Sequence, residues 1–187
     1  MTDKCRTSYT HTVDYGDVIR GITAAISPKR IIEIGILDGF SLEALRSAAP
    51  RATIDAYDIF AEFNGNHADQ AALERKFSAH ESVSIQYGDF YQLHKQIAPA
   101  DIIHIDVAND GDVFEFAIKH YLPLLAPGGV MLLEGGSQER DKVPWMAKYG
   151  KRPINPIVSS LGLRTIGDHP SLTVIPSSGT RPLLSSS

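Results

Sequence analysis

Short apolar runs alternate with longer amphipathic segments along most of the chain, a pattern that predicts a parallel sheet covered by helices. The first run, RIIEIG (30–35), follows the Ser27-Pro28 break and leads through ILDG into SLEALRSAA (41–49), a predicted helix closed by Pro50. ATIDAYDI (52–59) predicts the second strand, and the polar stretch 62–80 after it contains QAALERKFSAH at helical spacing. VSIQYGD (83–89) is the third predicted strand, with YQLHKQI as a short helix behind it. DIIHIDV (101–107) and DVFEFAIKHYLPLL (112–125) repeat the strand-then-helix pattern. Pro127-Gly128-Gly129 predicts a turn into VMLLE (130–134), the fifth strand. The polar, basic SQERDKVPWMAKYGKRPI reads as a loop with a short helix. LRTIGDH and SLTVIPS, on either side of His169-Pro170, read as a closing antiparallel pair. Residues 1–176 are therefore expected to form a single α/β domain, and 177–187, with the composition of a tail, to be flexible.

Composition narrows the setting. At 187 residues, with 43% apolar and 21% charged side chains, the chain can bury an ordinary core without staples. A net charge of -4 argues against a general affinity for nucleic acid, which is driven by Lys and Arg. Cys5 is the lone cysteine, so a disulfide framework and a zinc cluster are both excluded, and a reducing compartment fits. No run approaches the roughly 18 apolar residues of a membrane helix. The start, MTDKCRTSYTHTVDYGD, lacks the apolar centre of a secretory leader. The expectation is a soluble, cytoplasmic protein.

The candidate chemistry begins at Glu33-Ile34-Gly35-Ile36-Leu37-Asp38-Gly39-Phe40-Ser41, between a strand and a helix. Glycines there allow a sharp turn and a close approach to a ligand at the carboxyl ends of the strands. A dinucleotide fingerprint would need a second glycine where Leu37 stands, and no phosphate loop with a following lysine occurs. E-I-G-x-x-x-G-F-S resembles the first motif of class I S-adenosylmethionine-dependent methyltransferases. Its G-F-S ending is similar to the catechol and caffeoyl-CoA O-methyltransferase branch. The resemblance runs over about residues 15–135. It implies a Rossmann-like, seven-stranded, mostly parallel sheet with flanking helices and an antiparallel C-terminal hairpin, and S-adenosylmethionine as cofactor. Glu33, Gly35, Ile36 and Gly39 would then frame the methionine half, with Ser41 near its carboxylate at the helix N-terminus. Asp58, ending the second strand, would accept the ribose hydroxyls with Ile59 beside it, Asp55 being the weaker competitor. Gly88-Asp89-Phe90 resembles the adenine-edge segment, Asp89 facing the exocyclic amine and Phe90 walling the ring.

Ile105-Asp106-Val107 resembles the fourth motif, which makes Asp106 the candidate to orient or deprotonate the acceptor. His11 is a second acid-base candidate, in a region with Tyr9 and Tyr15 that often folds over the cofactor in this family. His104, inside its strand, reads as a satisfied core histidine. The catechol branch places magnesium on the fourth-strand aspartate and on an Asp-Asn pair after the fifth strand. This chain has Glu134-Gly135-Gly136 at the pair, and the lysine usually offered as base in that branch falls near Asn109. Asp106 with Glu134 could still hold a hydrated hard cation, but a metal-independent site is favoured. Arg140, Lys142, Lys148, Lys151 and Arg152 gather around Trp145 and Tyr149, which suits either a wall for an anionic or aromatic acceptor or a solvated helix face. The expected function is methyl transfer to a small molecule, at oxygen before nitrogen or carbon, with no nucleic-acid or membrane partner. A nucleoside-binding module without turnover and a non-methylating transferase on the same fold remain alternatives.

Overall fold

The computed structural model describes residues 14–62 and 66–177. Seven strands form one sheet: β1 (Arg30–Ile34), β2 (Thr53–Asp58), β3 (Val83–Tyr87), β4 (Ala100–Ile105), β5 (Leu125–Glu134), β6 (Arg164–Ile166) and β7 (Leu172–Pro176). Their order is β3-β2-β1-β4-β5-β7-β6. The first five run parallel, and β7 pairs antiparallel with both β5 and β6. This is the expected Rossmann-like sheet with its antiparallel end. The chain fills one side of β1 and then crosses to β4 on the other, so a crevice opens at the carboxyl ends of these two strands.

Eight α-helices cover the sheet among the described residues: α1 (Tyr15–Ile26), α2 (Phe40–Ala48), α3 (Gln70–Phe77), α4 (Phe90–Leu93), α5 (Gly111–His120), α6 (Gln138–Asp141), α7 (Pro144–Lys148) and α8 (Asn155–Ser160). Strand alternation sorts the core into two. Ile32, Ile34, Ile103 and Ile105 pack with Phe114, Ala117 and Tyr121 on one face. Ile31, Ile102 and Leu132 pack with Ile19, Leu42 and Leu45 on the other. Burial on both faces explains why β1 and β4 read as near-continuous apolar runs.

Four elements differ from expectation. Helix α1 lies in a stretch that carried no strand or helix expectation. Gly16 and Gly21 weaken its intrinsic helix preference, and tertiary burial of Ile19 and Thr23 overrides that weakness. Strand β5 starts at Leu125, not 130, because Pro127-Gly128-Gly129 lies within the pairing as an irregularity instead of ending it. A Cβ on Gly129 would come 2.6 Å from the Asp101 carbonyl oxygen, so the close approach needs glycine. Helix α5 stops at His120, and Leu122–Leu124, with Pro123, form a separate 3-10 turn. Strand β3 ends at Tyr87, because Gly88 turns the chain and Asp89 caps α4. The tail beyond 177 lies outside the described residues.

Since α1 is held mainly by its buried face, Ile19, fully buried, should be its anchor. Ile19→Ala is expected to lower stability by about 2–5 kcal/mol in urea unfolding. A loss under about 1 kcal/mol would mean that α1 does not pack on the sheet as described.

Candidate active site

A cavity of about 510 Å³ opens at the carboxyl ends of β1, β2, β3 and β4. Its lining includes Gly35, Asp58, Ile59, Gly88, Asp89, Phe90 and Asp106, all singled out from the sequence. Asn66, Tyr91, Val107, Ala108, Val113 and Lys151 complete much of the wall. Gly35 is in the left-handed region, with φ 89°, and donates its N–H to the Tyr57 carbonyl at 2.8 Å. A Cβ there would come 2.1 Å from the Asp106 carbonyl oxygen. The bare backbone is what lets the loop after β1 lie against the end of β4.

Asp58 holds that loop. One carboxylate oxygen accepts the Ile36 N–H at 2.8 Å and the Leu37 N–H at 3.3 Å. The other accepts the Phe60 N–H at 2.9 Å and the Asn66 amide at 2.6 Å. Ile36 thus meets Asp58 through its backbone while its side chain is buried in the core. Asn66 is in turn fixed by the Ala68 N–H, 3.0 Å from its own oxygen. Nothing in the polar segment 62–80 marks Asn66 out by pattern, and only the fold brings it to Asp58. Asp55 turns elsewhere and pairs with Arg30 at 2.6 Å.

At the opposite end, Asp89 caps α4 by accepting the Tyr91 N–H at 2.9 Å. Phe90 is buried and stacks on Tyr121, ring centroids 5.2 Å apart. Lys151 reaches the wall from the segment after α7 and pairs with buried Asp110 at 2.9 Å. Gly88 packs tightly on Tyr57, where a Cβ would come 2.9 Å from the ring.

Glu33, Ile36, Gly39 and Ser41 stand behind the cavity lining. Ser41, expected near a ligand carboxylate, is buried, and its hydroxyl donates to Glu33. Gly39, expected to frame the ligand, is in the left-handed region at φ 74° and backs onto α3, where a Cβ would meet Phe77 at 2.9 Å and Leu73 at 3.1 Å. Glu33 is fully buried and also meets His104 Nδ1 at 3.3 Å. The second ring nitrogen of His104 meets the Tyr15 hydroxyl at 3.3 Å, so this core histidine is satisfied on both sides. Burial opposes a charge on His104, but Glu33 outweighs it and lifts the imidazole above its ordinary range. Burial likewise raises the Tyr15 phenol, with help from the charges of Asp106, Glu134 and Glu33. His11 and Tyr9 lie outside the described residues.

Glu134 and Arg140 depart furthest from expectation. The basic cluster does not form one wall. Arg140 turns inward, 5% exposed, and grips Glu134 through two bonds of 2.7 and 2.8 Å. Trp145 covers its guanidinium at 5.1 Å. Arg152 pairs with Asp112 and Glu115, Lys142 with Glu139, and Lys148 lies over exposed Tyr149. With both Glu134 oxygens taken, the residues present do not fit a divalent ion. Among the described residues, no group of three or more His, Cys, Asp or Glu side chains could hold a metal.

Asp106 carries the main electrostatic signature. Burial, and next the negative charge of Glu134, push its carboxyl from an ordinary 3.8 to about 7, against the pull of His104 and Arg140. Such a group changes charge near neutrality, which suits it to take a proton.

Residues 32–134 match the model of a family described as a methyltransferase domain. Among solved structures, cofactor-bound Rv0187 from MTB superposes with a TM-score of 0.67 at 17% identity, over 93% of this chain and 84% of that one. The O-methyltransferase TomG from Streptomyces achromogenes, involved in tomaymycin synthesis and solved with SAM, gives 0.59 at 18% identity, over 87% and 80%. An O-methyltransferase family protein from Burkholderia thailandensis gives 0.63 at 15% identity over 86% of this chain, which spans only 54% of that protein. At such identities the likeness speaks for the fold: the seven-stranded sheet of class I methyltransferases. With more than half of its residues matched by the family model, the chain belongs to the methyltransferase domain family.

The raised carboxyl gives a pH-dependent stability with a fixed sign. The folded state binds the Asp106 proton more tightly than the unfolded chain does. Its contribution is therefore full below about 3.8 and is lost as pH rises towards about 7. Asp106→Asn should lack that loss. The stability of wild type relative to the variant should fall between pH 4 and pH 7 in urea titrations, by a few kcal/mol in all and at no more than about 1.4 kcal/mol per pH unit. A constant difference would mean that Asp106 titrates normally.

Proposed function

We propose that this chain is a cytoplasmic enzyme that transfers a methyl group from S-adenosylmethionine to an oxygen of a small molecule. The observation that carries this reading is the cavity itself, with Asp58 anchoring the glycine loop at one end and Asp106 on its wall. S-adenosylmethionine would supply a methyl carbon on a positively charged sulfur. The residues present fit that group: Gly35 and Gly88 expose bare backbone, Asp58 and Asn66 offer polar atoms to a sugar, and Phe90 and Tyr91 offer aromatic walls to a base. Asp58 already accepts four bonds, so a ribose hydroxyl would share or displace one of them. The weak 3.3 Å bond from Leu37 is the natural candidate.

Asp106 would take the proton of the acceptor hydroxyl, leaving an oxygen lone pair free to attack. An oxygen acceptor fits this reading: a hydroxyl must lose its proton in the transfer, and Asp106 would take it. The net charge of -4 and the lone cysteine support a small-molecule role in a reducing compartment. No helix among the described residues is long and apolar enough to cross a membrane.

The reading is tested first by melting curves. S-adenosylmethionine and S-adenosylhomocysteine should each raise the Tm, adding about 2.7 kcal/mol at a hundred times Kd, while NAD should not. Transfer of a labelled methyl group to a component of a metabolite extract should follow. Equal stabilisation by NAD, or cofactor binding without any transfer, would reject the enzyme reading.

A second test uses the charge of the cofactor. A positive charge near Asp106 favours its ionised form. Calorimetry near pH 7 in buffers of different ionisation enthalpy should show protons released on binding S-adenosylmethionine. Release should be smaller with the uncharged S-adenosylhomocysteine and absent in Asp106→Asn. Equal release with both ligands would separate Asp106 from the transferred methyl.

A further inference from the structure

Three carboxylates reach the same face of the sheet near the ends of adjacent strands. Glu33 is on β1, Asp106 follows β4, and Glu134 ends β5. The register of Glu33 with His104 and of His104 with Leu132 sets Asp106 and Glu134 side by side under α1, with Glu33 two residues behind them on the same face. Glu33 is fully buried and Glu134 is 8% exposed. Like charges buried together must be neutralised by protons or by cations. Glu33 is answered by His104 and Ser41. Glu134 is answered by Arg140 alone among the charged groups of the described residues.

The local fold drives Arg140 into this position. Gly135 and Gly136, at φ 102° and 117°, turn the chain sharply after β5. Cβ atoms there would meet Ile154 at 2.7 Å and Thr173 at 2.2 Å, so the turn is packed on both sides. Ser137 then caps α6, accepting the Arg140 N–H at 3.0 Å, and the short helix aims Arg140 back at Glu134. Besides the Trp145 ring over it, the guanidinium makes one further hydrogen bond, to the Asn109 carbonyl at 3.4 Å, and Nη1 is buried without an acceptor among the described residues. An orphaned buried donor is costly for a group whose sole task is to pair with Glu134. Its charge also reaches Asp106 and Tyr15, favouring the ionised form of each.

We propose that the Arg140 guanidinium is the built-in cation of this wall: it closes Glu134 to divalent ions and supplies near Asp106 the positive charge a metal would otherwise bring. Arg140 is thus a positioning residue that acts through Glu134. The proposal rests on the methyltransferase reading for the role of Asp106, but its test reads metal binding and needs no methyl acceptor.

The test is manganese binding, followed by electron paramagnetic resonance and by Tm, in wild type, Arg140→Met, Arg140→Lys and the double variant Arg140→Met with Glu134→Gln. Wild type and Arg140→Lys should leave manganese free and their Tm unmoved. Arg140→Met exposes Glu134 beside Asp106. It should bind manganese at least about tenfold more tightly than wild type and gain Tm from it, and Glu134→Gln should abolish both effects. Manganese binding to wild type as tight as to Arg140→Met overturns the proposal. So does an Arg140→Met variant, folded or not, that manganese neither binds nor stabilises. Failure of S-adenosylhomocysteine to bind wild type would instead count against the methyltransferase reading, whatever manganese does.

Discussion

The loop after β1 can lie against the end of β4 only because Gly35 has no side chain, since a Cβ would sit 2.1 Å from the Asp106 carbonyl oxygen. Much of the site follows from that contact. It brings the loop's N–H groups within reach of Asp58 on the neighbouring strand, and Asp58 takes two of them. It also fixes the backbone of Asp106, so the proposed acid-base group and the cofactor loop are parts of one rigid joint. A methyl group moving in line between two heavy atoms tolerates little misplacement, and a backbone joint is a stiffer way to set that line than side chains on separate loops.

The two faces of the sheet divide the remaining work. On the face of Ile32 and Ile103, Phe90, Phe114 and Tyr121 pack as an apolar layer that includes one cavity wall. The other face gathers the charge under α1: Glu33, His104, Glu134 and Arg140, with the Tyr15 hydroxyl reaching His104 from α1 itself. The proposed slot for a flat base and the proposed acid-base group are thereby served by separate cores. Neither compromises the packing of the other.

Strands β1 and β4 were legible because continuous Ile-rich runs have few other readings, and the glycine loop because its spacing sits between a strand and a helix. Asp58, Asp89 and Asp106 were legible as acids at strand ends. What the sequence hid was direction. Ser41 falls in the motif, yet its hydroxyl meets Glu33, and the space a Cβ on Gly39 would take is filled by Phe77 of α3. Arg140 looked like part of a surface cluster, since a one-dimensional pattern cannot show that two glycines fold α6 back onto β5. The usable signal was Glu134 itself: a carboxylate closing an apolar strand will be buried and needs a partner nearby in the chain. Helix α1 was hidden for a simpler reason, its two glycines, and with it the link from Tyr15 to His104.

That link bears on how the acid at Asp106 is kept useful. A carboxyl buried next to Glu134 with no cation nearby would stay protonated at neutral pH and could take no proton from an acceptor. A carboxyl held tightly by a cation would stay ionised but bind a proton too weakly to help. The wall of this cavity lies between those limits. Burial and Glu134 push the group up, His104 and Arg140 pull it back, and it settles at about 7. The pairs Glu33 with His104 and Glu134 with Arg140 therefore do more than satisfy buried charges. They set the background against which one carboxyl, unpaired among the described residues, can change its protonation state, as the proposed transfer to a hydroxyl would require.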